Sequence, residues 1–319
     1  MSQTNKMKLV FLDAGTLYGH PSLSTLLAPF GEVHLFATTS QEEVQERIQR
    51  AEIVLINKVV LNEAIFAQSP SLRLVCVTAT GMNNIDTLAA EKRGIQVKNA
   101  AHYSTHSVAQ TTFAMALHLL MKLSLQDHFV RHNYIHHPFF THLDPSFSEL
   151  RGKTWGIIGL GNIGKQVARI AEAFGSQVQY HSPSAQNKVA AYPHASLEEL
   201  MATSDIISLH SPLNTFTQHL IGEKELRLCK PTALLINVAR GGIVSEQALA
   251  DALDQDFLAG AGVDVYSAEP ILPSNPLLHL QKKEKLALTP HMAWGSLEAR
   301  EALLRIVCEN IRSYLASKR

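Results

Sequence analysis

The sequence predicts an α/β protein built around two parallel sheets, and three observations lead to this prediction. Short apolar runs alternate with polar stretches along most of the 319-residue chain, as strands and helices do in proteins with parallel sheets. A long segment, 104–123, is apolar on nearly every face and divides the alternation into two series. A glycine-rich motif then opens the second series, directly after an apolar run.

The first series predicts a small α/β domain over residues 1–101. Its expected strands are the five apolar runs Leu9–Leu12, Val33–Phe36, Ile53–Ile56, Leu74–Val77 and Gln96–Lys98. Between two of them, Gln41–Ile48 carries apolar residues four apart among charges, which predicts a solvent-facing helix. Segment 104–123 should be a buried helix between this domain and the next.

The second series predicts a larger domain over residues 102–293 with a doubly wound parallel sheet. Its expected strands are Thr154–Ile158, Gln177–Tyr180, Asp205–Leu209, Ala233–Val238, Ala261–Val265 and Leu286–Leu288. Ser196, which precedes Glu199 by three residues, and Ser245 have the pattern of helix N-caps. The last segment, 294–319, has apolar residues at helical spacing, so we expect a helix that returns to complete the first domain.

The composition excludes several classes of protein. Lys plus Arg and Asp plus Glu are balanced at 28 each and charged residues are only 18%, so neither a nucleic-acid partner nor an anionic membrane surface is expected. Three widely spaced cysteines fit neither a disulfide framework nor a structural zinc site, and they favour a reducing compartment. Because no apolar run is long enough to cross a bilayer or to serve as a cleavable signal, we expect a cytoplasmic protein.

The glycine-rich motif predicts a dinucleotide site in a Rossmann-type domain. It lies between an expected strand and an expected helix, Lys165–Phe174, which is the context that this motif requires. The first glycine allows a tight turn, the second lets a pyrophosphate approach the backbone, and the third lets the helix pack on the strand. The expected cofactor contacts in this loop are Gly159, Gly161, Asn162, Ile163 and Gly164.

The acidic residue that usually holds the adenosine ribose about 20 positions further on is missing. His181 and Ser182 occupy that place, and no acid occurs between Glu172 and Glu198. The small polar residues and the histidine at this place do not repel a 2′-phosphate as an acidic residue would, but no arginine is present to bind one. We therefore predict NAD as the cofactor and leave NADP open.

Three further motifs follow later strands of the same sheet, where an open parallel sheet places its site. They are Asn237-Val238-Ala239-Arg240-Gly241-Gly242, Gly262-Val263-Asp264-Val265-Tyr266-Ser267-Ala268-Glu269-Pro270 and Thr289-Pro290-His291-Met292-Ala293-Trp294. Arg240 offers a planar fork for a carboxylate or a polarised carbonyl. His291 can protonate a developing alkoxide, and Glu269 can orient its ring.

With these motifs the whole chain resembles the D-isomer-specific 2-hydroxyacid dehydrogenases. The resemblance implies a Rossmann-type cofactor domain, a smaller flavodoxin-like α/β domain, and NAD(P)-dependent reduction of a small 2-oxo acid to the D-2-hydroxy acid. It makes Arg240, Glu269 and His291 the catalytic residues. It also implies cofactor contacts from Asp264 on the nicotinamide side, Val238, the turn with His210 and Pro212, and Val108 at a helix start. The loop 79–86, with Thr80 and Gly81, would receive the substrate carboxylate through its backbone.

Within that family three segments look most like the glycerate dehydrogenase (hydroxypyruvate reductase) branch: Asn57-Lys58-Val59, Tyr103-Ser104-Thr105 and Pro290-His291-Met292-Ala293-Trp294. Hydroxypyruvate is therefore the expected substrate, reduced to D-glycerate. Lys58 could reach this substrate or be solvated at a strand end. D-lactate and glyoxylate types of dehydrogenase stay open as alternatives, and so does a nucleotide-sensing binding protein like the corepressors that resemble this family.

Segment 126–150 should be an arm that packs against a second subunit, because its aromatic and aliphatic side chains would otherwise be exposed. We therefore expect a homodimer. His128, His132 and His136 fall four residues apart on a predicted helix, but only Asp127 lies nearby to complete a set of ligands, so no metal site is expected.

Overall fold

The computed structural model describes residues 7–17, 23–184 and 191–318. The chain divides into two compact units, unit 1 with Met1–Tyr103 and Leu297–Arg319, and unit 2 with Ser104–Ser296. The domain boundaries predicted above, after residues 101 and 293, precede these divisions by two and three residues.

Strands and helices alternate along both units. The strands are β1 (Lys8–Phe11), β2 (Glu32–Leu35), β3 (Ile53–Ile56), β4 (Leu74–Val77), β5 (Gln96–Asn99), β6 (Thr154–Ile158), β7 (Gln177–His181), β8 (Ile206–Leu209), β9 (Leu234–Asn237), β10 (Gly260–Val263) and β11 (Leu286–Leu288). The α-helices are α1 (Leu23–Leu27), α2 (Val44–Ile48), α3 (Glu63–Ala67), α4 (Thr87–Lys92), α5 (Thr105–Leu120), α6 (Leu123–His132), α7 (Asn162–Ala173), α8 (Leu197–Thr203), α9 (Glu223–Arg227), α10 (Glu246–Asp254) and α11 (Leu297–Ala316).

Unit 1 contains a parallel sheet of five strands in the order β2-β1-β3-β4-β5, the flavodoxin-like order. All five predicted strands are confirmed to within one residue at each end. The central strands β3 and β4 are buried along their whole length, which explains their unbroken apolar runs. The predicted helix Gln41–Ile48 begins only at Val44, because the Glu43 carboxylate accepts the N–H of Ser40 and closes a turn before it.

The last helix, α11, belongs to unit 1, and it packs against β4 as its apolar spacing predicted. Leu303, Val307 and Ile311 form its buried face. Two side-chain bonds join it to the end of β5: Asn310 Nδ2 donates to the Asn99 carbonyl at 3.0 Å, and Lys98 Nζ donates to Ser313 Oγ at 3.1 Å.

Unit 2 contains a parallel sheet of six strands in the order β11-β10-β9-β8-β6-β7. The six predicted strands are confirmed to within two residues. An isolated parallel bridge between Tyr180 and His194 continues the sheet beyond β7, which completes the Rossmann order around β6. The order in which successive strands are added to the sheet reverses at β6, between β7 and β8, and ligands bind at such switch points in open α/β sheets.

The helix predicted over 104–123 is α5, which ends at Leu120, three residues earlier than predicted, and a second helix, α6, begins at Leu123. Lys122 has a φ of 54°, in the left-handed region, and this residue separates α5 from α6. As predicted, α5 is buried, and it packs against α7, β9 and β10. Among the described residues no single helix is long and apolar enough to span a membrane; α5 and α6 pass that test only as a pair, bent by 54°.

The three cysteines are free thiols and all of them are buried. Burial raises the pKa of Cys76 and of Cys229 to about 12, and it also raises the pKa of Cys308. None of these thiols has the lowered pKa of a reactive cysteine.

Candidate active site

The carboxyl ends of all six strands of unit 2 meet at one edge, because the strands are parallel. The cofactor and catalytic residues predicted for this unit, apart from Val108 and Glu269, lie just after these ends. They are Gly159 to Gly164 after β6, His181 and Ser182 at β7, His210 and Pro212 after β8, Val238 and Arg240 after β9, Asp264 after β10 and His291 after β11.

The glycine-rich loop has the geometry of a phosphate cradle. Gly159 has a φ of 95°, and a side chain there would also overlap Ser211. Gly161, by contrast, is exposed, and a Cβ built on it would meet no atom within 4 Å. It is the N-cap of α7, which begins at Asn162 rather than at the predicted Lys165. An open glycine before a helix N-terminus fits a dinucleotide pyrophosphate.

A second observation that fits a bound cofactor lies in the turn after β8. His210 Nε2 is 3.0 Å from Ser208 Oγ, which also accepts the indole N–H of Trp155 at 2.9 Å. The other ring nitrogen, Nδ1, is buried and has no hydrogen-bond partner among the described residues. Burial lowers the pKa of His210 to about 3, so this ring is neutral at physiological pH. Unpartnered buried polar atoms are uncommon, and this one lies in the turn that the family resemblance places beneath the cofactor.

The end of β7 presents imidazoles where many dinucleotide sites have an acid. His181 Nδ1 lies 3.2 Å from the Ala195 carbonyl, and the rings of His181 and His194 are 6.0 Å apart. Burial lowers the pKa of His181, with a smaller contribution from His194. Ser182 is nearly buried. Residues 185–190, which follow, lie outside the described residues.

The turn that carries His291 is organised by Asp264. The Asp264 carboxylate is fully buried and accepts the backbone N–H groups of Met292 and Ala293, each at 2.9 Å, and the hydroxyl of Thr289. The backbone N–H of His291 itself donates to the Asp264 carbonyl at 2.8 Å. His291 has a φ of 51°, a left-handed conformation that the surrounding bonds maintain. Burial raises the pKa of Asp264, although its three donors act in the opposite direction. Its contact with the nicotinamide stays a prediction.

The ring of His291 is held by Glu269. Glu269 Oε2 lies 2.7 Å from His291 Nδ1, and the two side chains are 26% and 21% exposed. Glu269 Oε1 accepts the N–H of Tyr266 at 3.2 Å, while the Tyr266 hydroxyl donates to the Thr289 carbonyl at 2.8 Å. Tyr266 therefore connects the segment of Glu269 to that of His291. Burial raises the pKa of this tyrosine to about 12, so it remains a hydroxyl donor.

Arg240 lies on a loop that packs against the same tyrosine. Asn237 fixes the loop by accepting the N–H of Ala239 and donating to the Arg240 carbonyl, both at 3.1 Å. Gly241 follows, and any side chain at this position would overlap the Tyr266 backbone. The close approach thus depends on glycine and keeps Arg240 beside the segment that carries Glu269.

Val108 lies in the first turns of α5 and is buried. Its neighbour Ser107 donates from Oγ to the Ala293 carbonyl at 2.6 Å and accepts the N–H of Ser296 at 3.3 Å. The start of α5 is thereby joined to the segment that follows His291.

Sequence reasoning missed the positioning roles of Asn237, Tyr266 and Thr289. All three occur inside the motifs that were singled out, but their contacts cross between strands and have no fixed spacing along the chain. A polar residue next to a buried strand end was the available signal.

The substrate residues predicted for unit 1 follow two neighbouring strands, β3 and β4. Lys58 comes two residues after β3 and is exposed. Thr80 comes three residues after β4, its hydroxyl donates to the Ala100 carbonyl at 3.1 Å, and its carbonyl accepts from Asn99 Nδ2 at 2.7 Å. Gly81 is the next residue and is partly exposed. The parallel sheet places these residues at one edge of unit 1.

The histidines of the arm do not form a set of metal ligands in the described part of the chain. The rings of His128 and His132 stack with their centroids 4.2 Å apart, and His132 Nδ1 contacts the His128 carbonyl at 2.8 Å. No group of three or more His, Cys, Asp or Glu side chains that could hold a metal ion occurs within residues 7–17, 23–184 and 191–318.

Comparison with known proteins bears on both units. Residues 113–293 match the family model described as D-isomer specific 2-hydroxyacid dehydrogenase, NAD binding domain. This range includes the glycine-rich loop, Arg240, Glu269 and His291.

Full-length similarity extends through unit 1 as well. The chain is 36% identical to a hydroxypyruvate reductase of Blautia hydrogenotrophica over 323 aligned residues, which cover 97% of each protein. It is 38% identical over 260 residues to a glyoxylate reductase of Aeropyrum pernix, covering 80% of this chain and 76% of the relative. Among solved structures, an acyclic imino acid reductase in complex with NADPH and D-arginine is similar, with a TM-score of 0.86, 34% identity and 98% of each chain covered.

Proposed function

The chain belongs to the D-isomer-specific 2-hydroxyacid dehydrogenase family, and on that premise we propose that it reduces hydroxypyruvate to D-glycerate. It is an NAD(P)-dependent oxidoreductase, and its relatives leave the substrate open among small 2-oxo acids. The observation that supports the chemistry most directly is the 2.7 Å contact between Glu269 and His291, on a sheet edge shared with Arg240 and the glycine-rich loop.

In the proposed reaction, a reduced nicotinamide, when bound, supplies the hydride that adds to C2 of the substrate. His291 donates a proton to the carbonyl oxygen as it becomes an alkoxide, so the ketone becomes a secondary alcohol, and the ring then regains a proton from solvent. Because Glu269 occupies Nδ1, Nε2 is the nitrogen that faces the substrate. Arg240 binds the carboxylate or the polarised carbonyl. The backbone of Thr80 and Gly81 receives the carboxylate.

The test is the initial rate of NADH and NADPH oxidation with hydroxypyruvate, glyoxylate, pyruvate and phenylpyruvate compared at equal concentrations. We expect the highest kcat/KM with hydroxypyruvate. A preference for pyruvate or glyoxylate would contradict hydroxypyruvate as the substrate but would agree with the proposed reduction of a 2-oxo acid. Nucleotide binding without turnover of any 2-oxo acid would favour a sensing protein instead. A further sample with a 2-oxo acid plus an amine tests imine reduction, the activity named for the similar solved structure.

We propose that Gly159, Gly161, Asn162, Ile163 and Gly164 hold the pyrophosphate, and that His210, Pro212, Val238, Asp264 and Val108 line the rest of the cofactor site. His181 and Ser182 would contact the adenosine ribose. No carboxylate stands at that position to repel the 2′-phosphate of NADPH. We therefore expect the dissociation constant of NADPH to be at most ten times that of NADH, a difference of about 1.4 kcal/mol in binding free energy. Fluorescence titration with each nucleotide measures this ratio.

We also propose that the chain is a homodimer through the arm, residues 126–150. Its exposed apolar side chains include Phe140 at 91% exposure and Ile135 at 84%. Monomeric proteins seldom expose so many large apolar side chains within one segment. Sedimentation at micromolar concentration should give twice the chain mass of 35.1 kDa, and a species of 35.1 kDa alone would contradict the proposal. A cytoplasmic location is proposed on separate grounds, because the three cysteines are free thiols.

A further inference from the structure

Unit 1 contains a buried carboxylate that fixes the segment next to Lys58. Asp13, two residues after β1, is only 6% exposed. Its Oδ1 accepts the N–H of Asn57 at 2.7 Å, and its Oδ2 accepts the N–H groups of Lys58 at 2.6 Å and Val59 at 3.2 Å. A buried carboxylate is costly unless hydrogen-bond donors surround it, and here three consecutive backbone groups fill that role. The conformation of segment 57–59 therefore depends on Asp13.

The carbonyl groups of the same segment are bound from the other side by Asn84. Asn84 Nδ2 donates to the Val59 carbonyl at 2.8 Å and to the Asn57 carbonyl at 3.2 Å. The backbone adds two bonds, from Leu61 N–H to the Asn84 carbonyl and from Asp86 N–H to the Leu61 carbonyl, each at 3.0 Å. Asn84 belongs to loop 79–86, to which we assign the substrate carboxylate. Segment 57–59 and this loop thus form one body joined by hydrogen bonds.

The side chain that this body presents is Lys58. It is exposed and lies at the end of β3, the middle strand of the sheet, while Thr80 and Gly81 follow the neighbouring strand β4. An ammonium donor is therefore held at a fixed backbone position on the edge of the sheet that carries the carboxylate loop. An ammonium group there can donate a hydrogen bond to an oxygen on the carbon next to the 2-oxo group.

We propose that Lys58 selects 2-oxo acids that carry an oxygen substituent on C3, and that Asp13 is the positioning residue for Lys58. The proposal rests on the function proposed above and specifies how its substrate is chosen. Hydroxypyruvate has the required C3 oxygen, whereas pyruvate and glyoxylate do not. A site built to hydrogen-bond a substrate hydroxyl discriminates strongly against analogues that lack it.

The first test replaces Lys58 with Met and measures kcat/KM for hydroxypyruvate and for pyruvate. The ratio of the two should fall by about 10- to 100-fold, the usual effect of losing one hydrogen bond to a charged donor. Lys58→Arg should retain part of the preference. Lys92→Met, which removes an exposed lysine at the end of α4, is the matched control and should leave the ratio unchanged. If pyruvate turns over too slowly, its inhibition constant against hydroxypyruvate gives the same comparison.

A ratio that Lys58→Met leaves within threefold of the parent value would overturn the proposal. Equal losses for both substrates would mean that Lys58 binds the carboxylate that they share. These outcomes differ from a failure of the proposed function itself, in which the unmodified protein would turn over no 2-oxo acid at all.

The second test replaces Asp13 with Asn, which keeps the shape but turns one acceptor into a donor. The preference for hydroxypyruvate should fall severalfold and the melting temperature should fall as well. Asn62→Ala is the control for lost stability, because Asn62 caps α3 in the same unit by accepting the Ile65 N–H at 3.1 Å. It should lower the melting temperature without changing substrate preference. If both variants changed the preference, or neither did, Asp13 would have no positioning role.

Discussion

Segment 57–59 of unit 1 and the turn 289–293 of unit 2 are both organised by a buried aspartate that accepts backbone N–H groups. Asp13 takes three such groups around Lys58, and Asp264 takes two near His291 together with the Thr289 hydroxyl. Each aspartate follows a strand, β1 or β10, and each presents a basic residue at the edge of a parallel sheet.

The two arrangements differ beyond the backbone. The ring of His291 is held by Glu269 at 2.7 Å, whereas the side chain of Lys58, on a backbone that Asp13 fixes, is exposed. A proton donor must keep one ring orientation, because the transfer requires a fixed distance and angle. A group that only recognises a substituent needs a fixed starting point and can use its own flexibility to reach the ligand. The two basic residues thus differ in exposure as their proposed tasks differ: the side chain of His291, the proposed proton donor, is 21% exposed, and Lys58, proposed to recognise a substituent, is exposed.

The largest effect should come from replacing the proposed proton donor, His291. His291→Gln should lower kcat by about 10²- to 10⁴-fold, because general acid catalysis is lost, while the dissociation constant for NADH stays within threefold. Steady-state kinetics and fluorescence titration measure the two quantities. If more than a tenth of the activity remained, another group would have to supply the proton.

Replacing Asp264, which organises the turn that carries His291, should have the next largest effect. In Asp264→Asn an NH2 group, which donates, replaces one of the two carboxylate oxygens that accept hydrogen bonds from Thr289, Met292 and Ala293. The turn should therefore loosen and His291 should be displaced. We expect kcat to fall roughly 10- to 100-fold and the free energy of unfolding to fall by about 1–3 kcal/mol. In contrast to Asp13→Asn, this variant should keep the ratio of hydroxypyruvate to pyruvate. A changed ratio would show that the two aspartates do not have separate tasks.

Acid should weaken unit 2 through His210. Its pKa is about 3 in the folded protein and 6.5 in the reference state, so the unfolded chain binds a proton that the folded chain excludes. Stability is therefore lost as the pH falls below 6.5, at up to about 1.4 kcal/mol per pH unit. Both tryptophans, Trp155 and Trp294, lie in unit 2, so urea unfolding followed by their fluorescence at several pH values reports on this unit. His210→Asn should flatten the dependence, and an equal slope in the variant would rule out His210 as its origin.

The smallest effect is the coupling between Asp13 and Lys58. If Asp13 acts only by placing Lys58, then Asp13→Asn should change substrate preference in the parent but not in a Lys58→Met background. The coupling energy of this double-mutant cycle should be about 1 kcal/mol in the preference ratio. Additive effects would show that Asp13 does not act through Lys58.

Patterns that depend on near neighbours in the chain could be predicted from the sequence. Every strand was located to within two residues, and the clearest were β3 and β4, because parallel strands buried along their whole length give unbroken apolar runs. The end of α5 was missed, since Lys122 adopts a left-handed conformation without the glycine or proline that usually marks such a break. The helix after the glycine-rich loop begins at Asn162, with Gly161 as its N-cap, whereas it was predicted to begin after the motif, at Lys165.

Contacts between distant strand ends were not predictable in the same way. Arg240, Glu269 and His291 stood out by residue type and motif, and the structure adds the contact between the last two. Asp13 meets a segment 44 to 46 residues away, and Tyr266 meets Thr289 at a separation of 23 residues. No periodicity links such pairs. They become visible only when the sheet order is known.

The three buried thiols can serve as probes of local opening in the two units. Cys76 and Cys308 lie in unit 1 and Cys229 in unit 2, and all three are buried. Their high pKa values also disfavour the thiolate that alkylating reagents attack. Modification of each cysteine therefore proceeds only through transient opening around it. The labelling rate at Cys229 thus reports the rate of local opening in unit 2, and the rates at Cys76 and Cys308 report the same for unit 1.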